Sequence, residues 1–317
     1  MAAKKIHKHK NNFFIDTFSR KEAAIDLREY LPVDIRASIA WNSIQTESAH
    51  FVDATLLDKE SDMLYSVKLN HGNAFVYVLL EHQSCEDKWM KFRLLGYMVR
   101  IWEKFRKENP DSESLPVIIP LLLYQGQEAW ERSLSMDALF SLSDAAKNLF
   151  SKYLPNFESE LISLPSISEG AIKGDAYIQV AFKLMKAIRT GNMVATIEQI
   201  EGLLELICDE KGDVEFVLSC FVYALQAEEV DKDEVDAIFR VIRNTNLREK
   251  AMTIADQLEE RGIERGIERG ALIGRIQGYQ ELLNQKITDR EELRLRADES
   301  LEQFHNQLKI QLQNKLQ

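Results

Sequence analysis

Cysteine, proline and glycine are scarce in this chain, which has 3, 6 and 13 of them among 317 residues. Cys85, Cys208 and Cys220 are odd in number and lack C-x-x-C spacing, which excludes a disulfide framework and a structural zinc site. Low proline and glycine with 45% hydrophobic residues exclude disordered and collagen-like proteins. No run approaches the roughly 18 apolar residues of a membrane-spanning helix, and residues 1–12 lack the apolar segment of a secretory leader. We expect a folded cytoplasmic protein with reduced thiols.

Positive charge is also in deficit, because the formal net charge is -11. A protein whose whole surface grips nucleic acid draws its affinity from neutralising phosphates, and this composition excludes that class. Any contact with nucleic acid must use a local basic patch. The candidates are residues 1–10 and residues 88–107.

The spacing of apolar residues predicts helices first, then strands, then helices again. Three-to-four spacing predicts a helix over 13–31 and a short one over 34–45, and later a long helix over 86–108. Two prolines in the apolar run Leu115–Tyr124 indicate an edge strand or a bulge. Three earlier short runs rich in β-branched and aromatic residues predict strands: Phe51–Leu57, Met63–Leu69 and Ala74–Glu81. The later helices are predicted at 133–152, 176–190, 193–208, 213–227, 233–243 and from 246 onward. This order indicates a mixed α/β domain followed by a helical region.

The second and third predicted strands form a hairpin whose register brings two acids together. The break Asn70-His71-Gly72-Asn73 has the chemistry of a tight turn. A two- or four-residue loop centred on His71-Gly72 pairs Asp62 with Glu81, whereas a three-residue loop would shift the pairing by one and put the two acids on opposite faces. Alternation puts Gln83 on the face of Glu81 and His82 on the other face. Two adjacent carboxylates repel each other without a cation, so we interpret them as metal ligands. The alternative is a strand that simply ends in polar residues at the surface.

Four segments together resemble one known family: Ser61-Asp62-Met63-Leu64-Tyr65, Leu80-Glu81-His82-Gln83-Ser84, Phe92-Arg93-Leu94-Leu95-Gly96-Tyr97-Met98-Val99 and Pro120-Leu121-Leu122-Leu123-Tyr124-Gln125-Gly126. In order and spacing they are similar to the recombination-promoting nucleases (Rpn, YhgA-like transposases) of the PD-(D/E)XK nuclease superfamily. The resemblance implies a restriction-endonuclease-like nuclease domain over 12–205, a helical C-terminal region over 206–317, and metal-dependent DNA cleavage that promotes RecA-independent recombination. Asn11-Asn12 departs from the His-Asp that often precedes the family's first Phe pair.

The resemblance also assigns roles to individual residues. Asp62, Glu81 and the backbone carbonyl of His82 would bind Mg²⁺, although other divalent cations are possible. Gln83 stands where the superfamily has lysine and, being neutral, would orient water or phosphate by hydrogen bonds. Glu47 is a candidate for the additional acid of some superfamily members. Lys68 lies about 20 Å along the strand from Asp62, too far to replace the missing lysine.

Two further patterns predict partners. A helix over 86–108 would place Arg93, Tyr97, Arg100, Lys104 and Lys107 on one face, as expected for contact with a DNA backbone, whereas a solvated basic face is the alternative. The repeat at 260–278 places Gly262, Gly266, Gly270, Gly274 and Gly278 four residues apart. Such a stripe lets another helix approach closely, so we expect a homodimer or higher oligomer through the C-terminal helices; the alternative is a weak solvent-exposed helix.

Three other functions fit parts of the pattern. With Gln83 in place of lysine, the chain could be a catalytically weak DNA-binding protein. A transposase on an RNase H-like fold would need a third, distant acid, and none is convincing. An RNA-cleaving toxin or defence nuclease would share the same site chemistry.

Overall fold

The computed structural model describes residues 12–47, 62–70, 75–225, 232–296 and 298–315. The chain separates into two compact units between Arg248 and Glu249. None of the described helices is both long enough and apolar enough to cross a membrane.

The first unit is built on a five-stranded mixed sheet. Its five strands lie side by side in chain order. Strands β1, β2 and β3 are antiparallel neighbours, and β4 and β5 run parallel to β3. A parallel neighbour needs a crossover, and the helix between β3 and β4 provides it. The strands are β1 (Ile39–Thr46), β2 (Asp62–Leu69), β3 (Phe75–Gln83), β4 (Val117–Tyr124) and β5 (Glu160–Ser163). The mixed sheet and the helical C-terminal region agree with the predicted α/β class.

The hairpin register is the predicted one. Asp62 lies opposite Glu81, and the pairing continues without a shift to Lys68 opposite Phe75. The predicted turn at His71-Gly72 and the predicted strand Phe51–Leu57 lie outside the described residues.

Helix α4 (Met90–Glu108) covers the face of the sheet that carries Glu81. Its apolar stripe, including Leu94 and Met98, packs against Leu64 of β2 and Leu79 of β3 in one buried cluster. Alternation places Leu79 and Glu81 on the same face. The helix therefore covers the candidate site as well as part of the core.

The opposite face packs against helices from both ends of the first unit. Residues 12–18 form α1, whose Phe13 stacks on Tyr223 with ring centroids 4.1 Å apart. Tyr223 lies on α8 (Val214–Leu225), which also buries Phe216 and Phe221. Because these rings complete the core around α1, α8 belongs to the first unit.

Several predicted helices are shorter than the apolar spacing indicated. The segment 13–31 is interrupted after residue 18 and continues as α2 (Lys21–Asp26) and a 3₁₀ turn. Of the segment 34–45, only α3 (Val33–Ser38) is helical, and β1 follows at once. The segment 133–152 contains α5 (Asp144–Phe150) with one 3₁₀ turn before it and another directly after it.

Strand β4 is internal, although its prolines had indicated an edge or a bulge. The parallel neighbour β5 begins to pair only at Leu121, so at Pro120 that side of β4 has no strand partner among the described residues. Proline has no backbone N–H to donate to a neighbouring strand, and this half of β4 does not need such a donor on its unpaired side.

Three later helices of the first unit match their predicted ranges closely. They are α6 (Ala176–Thr190), α7 (Met193–Glu205) and α9 (Lys232–Val241).

The regular elements of the second unit are all helices among its described residues. Helix α10 (Thr245–Leu282) continues through the repeat, and α11 (Arg290–Leu295) and α12 (Asp298–Lys315) follow. Ile273 and Ile276 of α10 are buried with Leu293, Leu301 and Leu308 of the other two helices. Methyl groups built at Gly266, Gly270, Gly274 and Gly278 would meet no atom of the described chain within 4 Å beyond their own helix backbone and immediate neighbours.

Candidate active site

Glu81 is a carboxylate with no solvent exposure near the end of β3. The apolar run Phe75–Leu80 makes the strand, and its pairing with β2 sets Asp62 directly opposite Glu81. Directly opposed residues have Cβ atoms about 4.5–5.5 Å apart, within reach of one shared ligand. Asp62 is described by its backbone alone, and that backbone holds the predicted position.

The two oxygens of Glu81 have different surroundings. Oε1 accepts hydrogen bonds from Arg93 Nη2 and Gln83 Nε2, each 2.7 Å long. Oε2 is buried and accepts no hydrogen bond from the described residues. A buried carboxylate oxygen without a donor or cation is unfavourable, so Oε2 is the atom suited to a further positive ligand.

Arg93 lies on the first turn of α4 and bridges two acids. Its guanidinium contacts Glu81 at 2.7 Å and Asp87 at 2.9 Å, and the side chain is 16% exposed. The sequence had assigned Arg93 to an exposed DNA-contacting face and had left Glu81 without a protein cation. The contact between Arg93 and Glu81 could have been inferred from the short connection between β3 and α4, because this connection keeps the first turn of α4 near the end of β3.

Gln83 and His82 occupy opposite faces, as alternation predicted. Gln83 Nε2 donates to Glu81 and also to the carbonyl oxygen of His82 at 2.9 Å. The His82 ring is 6% exposed and stacks on Phe14 of α1 with centroids 4.8 Å apart. Gln83 therefore fixes one Glu81 oxygen and the backbone at His82, while the imidazole packs in the core.

Glu47 directly follows β1 and lies beside the hairpin. Its backbone N–H donates to the carbonyl of Leu64, two residues along β2 from Asp62. The pKa of Tyr77 is raised mainly by burial and to a smaller extent by the negative charge of Glu47. No hydrogen bond joins Glu47 to Glu81 or Gln83 among the described residues, so its role as an additional acid stays a prediction.

The predicted basic stripe of α4 is narrower in the structure. Tyr97 is 5% exposed and belongs to the apolar cluster, so it lies on the buried side of the helix. Arg93 is held by the two acids. Lys104 contacts Glu108 at 3.6 Å, and Lys107 is exposed. Without Tyr97 and Arg93, the predicted DNA-contacting group is reduced to three residues, Arg100, Lys104 and Lys107.

A family model described as "Putative transposase, YhgA-like" matches residues 7–215 of the chain. The chain belongs to the YhgA-like transposase family. Over 239 residues it is 28% identical to "Recombination-promoting nuclease RpnD" of Escherichia coli O157:H7, covering 75% of this chain and 88% of that protein. Over 245 residues it is 28% identical to "Recombination-promoting nuclease RpnC" of Escherichia coli strain K12, covering 76% and 78%.

Not every relative is named as an active nuclease. "Inactive recombination-promoting nuclease-like protein RpnE" of strain K12 is 25% identical over 243 residues, covering 76% of this chain and 78% of that protein. No solved structure matches the chain. The matches support a nuclease and recombination role at the level of the family.

The donors of this YhgA-like protein fit a hard divalent cation. The described side chains contain no cluster of three or more histidine, cysteine or acidic groups, and the carboxylate of Asp62 is not among them. Oε2 of Glu81, which accepts no hydrogen bond from the described residues, is an oxygen of the kind Mg²⁺ prefers, and the strand pairing sets Asp62 opposite it. The predicted Asp62, Glu81 and Gln83 group therefore shares one end of the hairpin.

Proposed function

We propose that this YhgA-like protein is a Mg²⁺-dependent endonuclease that hydrolyses phosphodiester bonds in DNA and promotes recombination. The main support is the buried Glu81, whose Oε2 accepts no hydrogen bond from the described residues, beside the backbone position of Asp62. The names of RpnD and RpnC support a nuclease of this kind.

Each residue of the site has a specific task in this proposal. Asp62, Glu81 and the carbonyl of His82 would hold the cation. When bound, Mg²⁺ supplies Lewis-acid polarisation of a phosphodiester oxygen and lowers the pKa of water. Gln83 cannot act as a base because its amide is neutral, but it fixes the carboxylate of Glu81 through a 2.7 Å hydrogen bond.

Arg93 and the basic end of α4 complete the site. Arg93 holds Oε1 of Glu81, which leaves Oε2 for the cation. Arg100, Lys104 and Lys107 would follow the DNA backbone along the same helix, since phosphate contacts position a duplex. The overall charge of -11 makes such local groups necessary.

A plasmid-nicking assay with purified protein tests the proposal. Wild type should convert supercoiled DNA to open circles in Mg²⁺ and not in EDTA. Asp62→Asn and Glu81→Gln should each lose at least about a hundredfold in rate, because each removes a ligand charge. Asp34→Asn, which changes an exposed acid of α3, is the matched control and should keep the wild-type rate.

A catalytically silent DNA-binding protein is the second candidate, favoured by the name of RpnE. This alternative predicts DNA binding in EDTA with no cleavage by wild type in Mg²⁺. Absence of metal-dependent cleavage, or undiminished cleavage by Asp62→Asn, would contradict the endonuclease proposal.

A further inference from the structure

A cleft of about 180 Å³ lies just beyond the end of β4. Leu164 and Met185 contribute apolar surface, whereas Gln125, Lys186 and Arg189 contribute polar groups. The lining contains two basic side chains and no acidic one. In a chain with a net charge of -11, such a lining is complementary to an anion.

The cleft adjoins the strand end that carries Gln83. Gln83 pairs with Tyr124, and the next backbone N–H, that of Gln125, donates to the carbonyl of Gln83 over 2.9 Å. The ring of Tyr124 lies so close to Gly126 that a Cβ at this position would collide with it. One backbone hydrogen bond thus connects the cleft to the candidate active site.

Gln125, one of the lining residues, carries a buried side-chain donor without an acceptor among the described residues. The residue is 1% exposed, and its Oε1 accepts a long hydrogen bond of 3.5 Å from the hydroxyl of Tyr223. Burial raises the pKa of Tyr223 well above its ordinary value, so the phenol remains a donor. The amide oxygen is therefore occupied, while Nε2 is buried with no acceptor among the described residues. A buried NH₂ group in this position calls for a ligand oxygen.

Arg189 adds a charged donor on the same wall. Its Nε donates to the backbone carbonyl of Gln125 over 2.9 Å, which holds the guanidinium next to the backbone of that residue. The Nη groups donate to no other described residue. Lys186, another lining residue, donates from Nζ to the carbonyl of Ile167. A guanidinium held in this way can offer two parallel hydrogen bonds to a phosphate.

We propose that this cleft binds a phosphate group through Gln125 Nε2 and the Nη groups of Arg189. Resting on the endonuclease function proposed above, we assign that phosphate to the backbone of the DNA strand, adjacent to the bond that is cut. The alternative source of the same chemistry is a free phosphate ion. A purely structural role for Arg189, as a cation in the last turn of α6, would require no ligand.

Binding measurements in EDTA test the assignment without cleavage. The probes are inorganic phosphate, followed by titration calorimetry, and a fluorescein-labelled 20-nucleotide DNA, followed by anisotropy. Arg189→Gln and Gln125→Glu remove or oppose the anion donors. Lys183→Gln is the matched control, because it removes one positive charge from the same helix outside the cleft. Thermal unfolding by circular dichroism checks that each variant is folded. If Gln125→Glu does not fold, Arg189→Lys is measured in its place.

Arg189→Gln and Gln125→Glu should each weaken binding of the DNA probe at least about tenfold, and Lys183→Gln less than about twofold. Equal affinity of Arg189→Gln and wild type for both probes overturns the proposal. Weaker binding of inorganic phosphate with unchanged DNA affinity assigns the cleft to a free ion and overturns the strand assignment. The failure of this proposal and the failure of the nuclease proposal can be told apart. A protein that binds DNA through Arg189 but never cleaves it contradicts only the nuclease proposal.

Discussion

Replacing Arg93 by methionine removes the cation that contacts the buried carboxylate of Glu81. The contact is 2.7 Å long, Glu81 is fully buried, and Arg93 is 16% exposed. Removing one partner of a buried ion pair costs about 3–5 kcal/mol, because the other charge is left uncompensated. Gln83 still donates to the same oxygen, so we expect the lower end, about 3 kcal/mol. The second contact of Arg93, with Asp87, is more exposed and adds at most about 1 kcal/mol.

Urea unfolding in EDTA at pH 7, followed by tryptophan fluorescence, measures this loss. All four tryptophans precede residue 131, so the signal reports the sheet-containing unit. Arg106→Met is the matched control, since it removes an exposed cation from the same helix and should cost less than about 0.5 kcal/mol. The double variant Glu81→Gln with Arg93→Met should recover part of the loss. A loss below about 1 kcal/mol for Arg93→Met would refute the inference that this guanidinium compensates Glu81.

Three other changes test separate parts of the fold. Hydrogen bonds from Arg20 lower the pKa of Asp213, so the stabilisation is present above the unfolded pKa of about 4 and is lost as the pH falls through the lower folded value. Asp213→Asn should therefore destabilise by roughly 2 kcal/mol at pH 7 and flatten the loss of stability below about pH 4 in acid titrations. Leu94→Ala, at a fully buried position of α4, should cost about 2–5 kcal/mol in urea unfolding, and a cost under about 1 kcal/mol would contradict the packing of α4 on the sheet. A methyl group at residue 270 would meet no described atom within 4 Å beyond its own helix backbone and neighbours, so in a monomer Gly270→Ala should stabilise α10 by about 1 kcal/mol. In the predicted dimer it should instead weaken association in sedimentation velocity.

The hairpin and the long helices could be predicted from periodicity. A two-residue period with a turn fixed the pairing of Asp62 with Glu81, because a shift of one residue would have moved every side chain to the other face. Helix α6 has an uninterrupted apolar period and a glycine in the left-handed conformation at its end, Gly191. These signals are local, so they survive without knowledge of the tertiary structure.

The elements that were missed depend on nonlocal contacts. Strand β1 has a register irregularity between Ala40 and Gln45 that breaks its alternation, so its apolar residues mimic helical spacing. Strand β5 has only four residues and is defined by its pairing with β4.

Site residues on α4 show the same limit. Tyr97 was grouped with the cations, although at 100° per residue it lies roughly 60° from Leu94, inside the buried arc. The partner of Arg93 depends on where the crossover returns the helix, which the period of the helix does not determine.

Titration with Mn²⁺, followed by electron paramagnetic resonance, tests most directly whether Asp62 and Glu81 hold a divalent cation. We predict one site per chain in wild type, displaced by excess Mg²⁺, and at least about tenfold weaker in Asp62→Asn and in Glu81→Gln. Asp34→Asn should bind as wild type does. Equal Mn²⁺ affinity in wild type, Asp62→Asn and Glu81→Gln would contradict the assignment of this hairpin as the metal site.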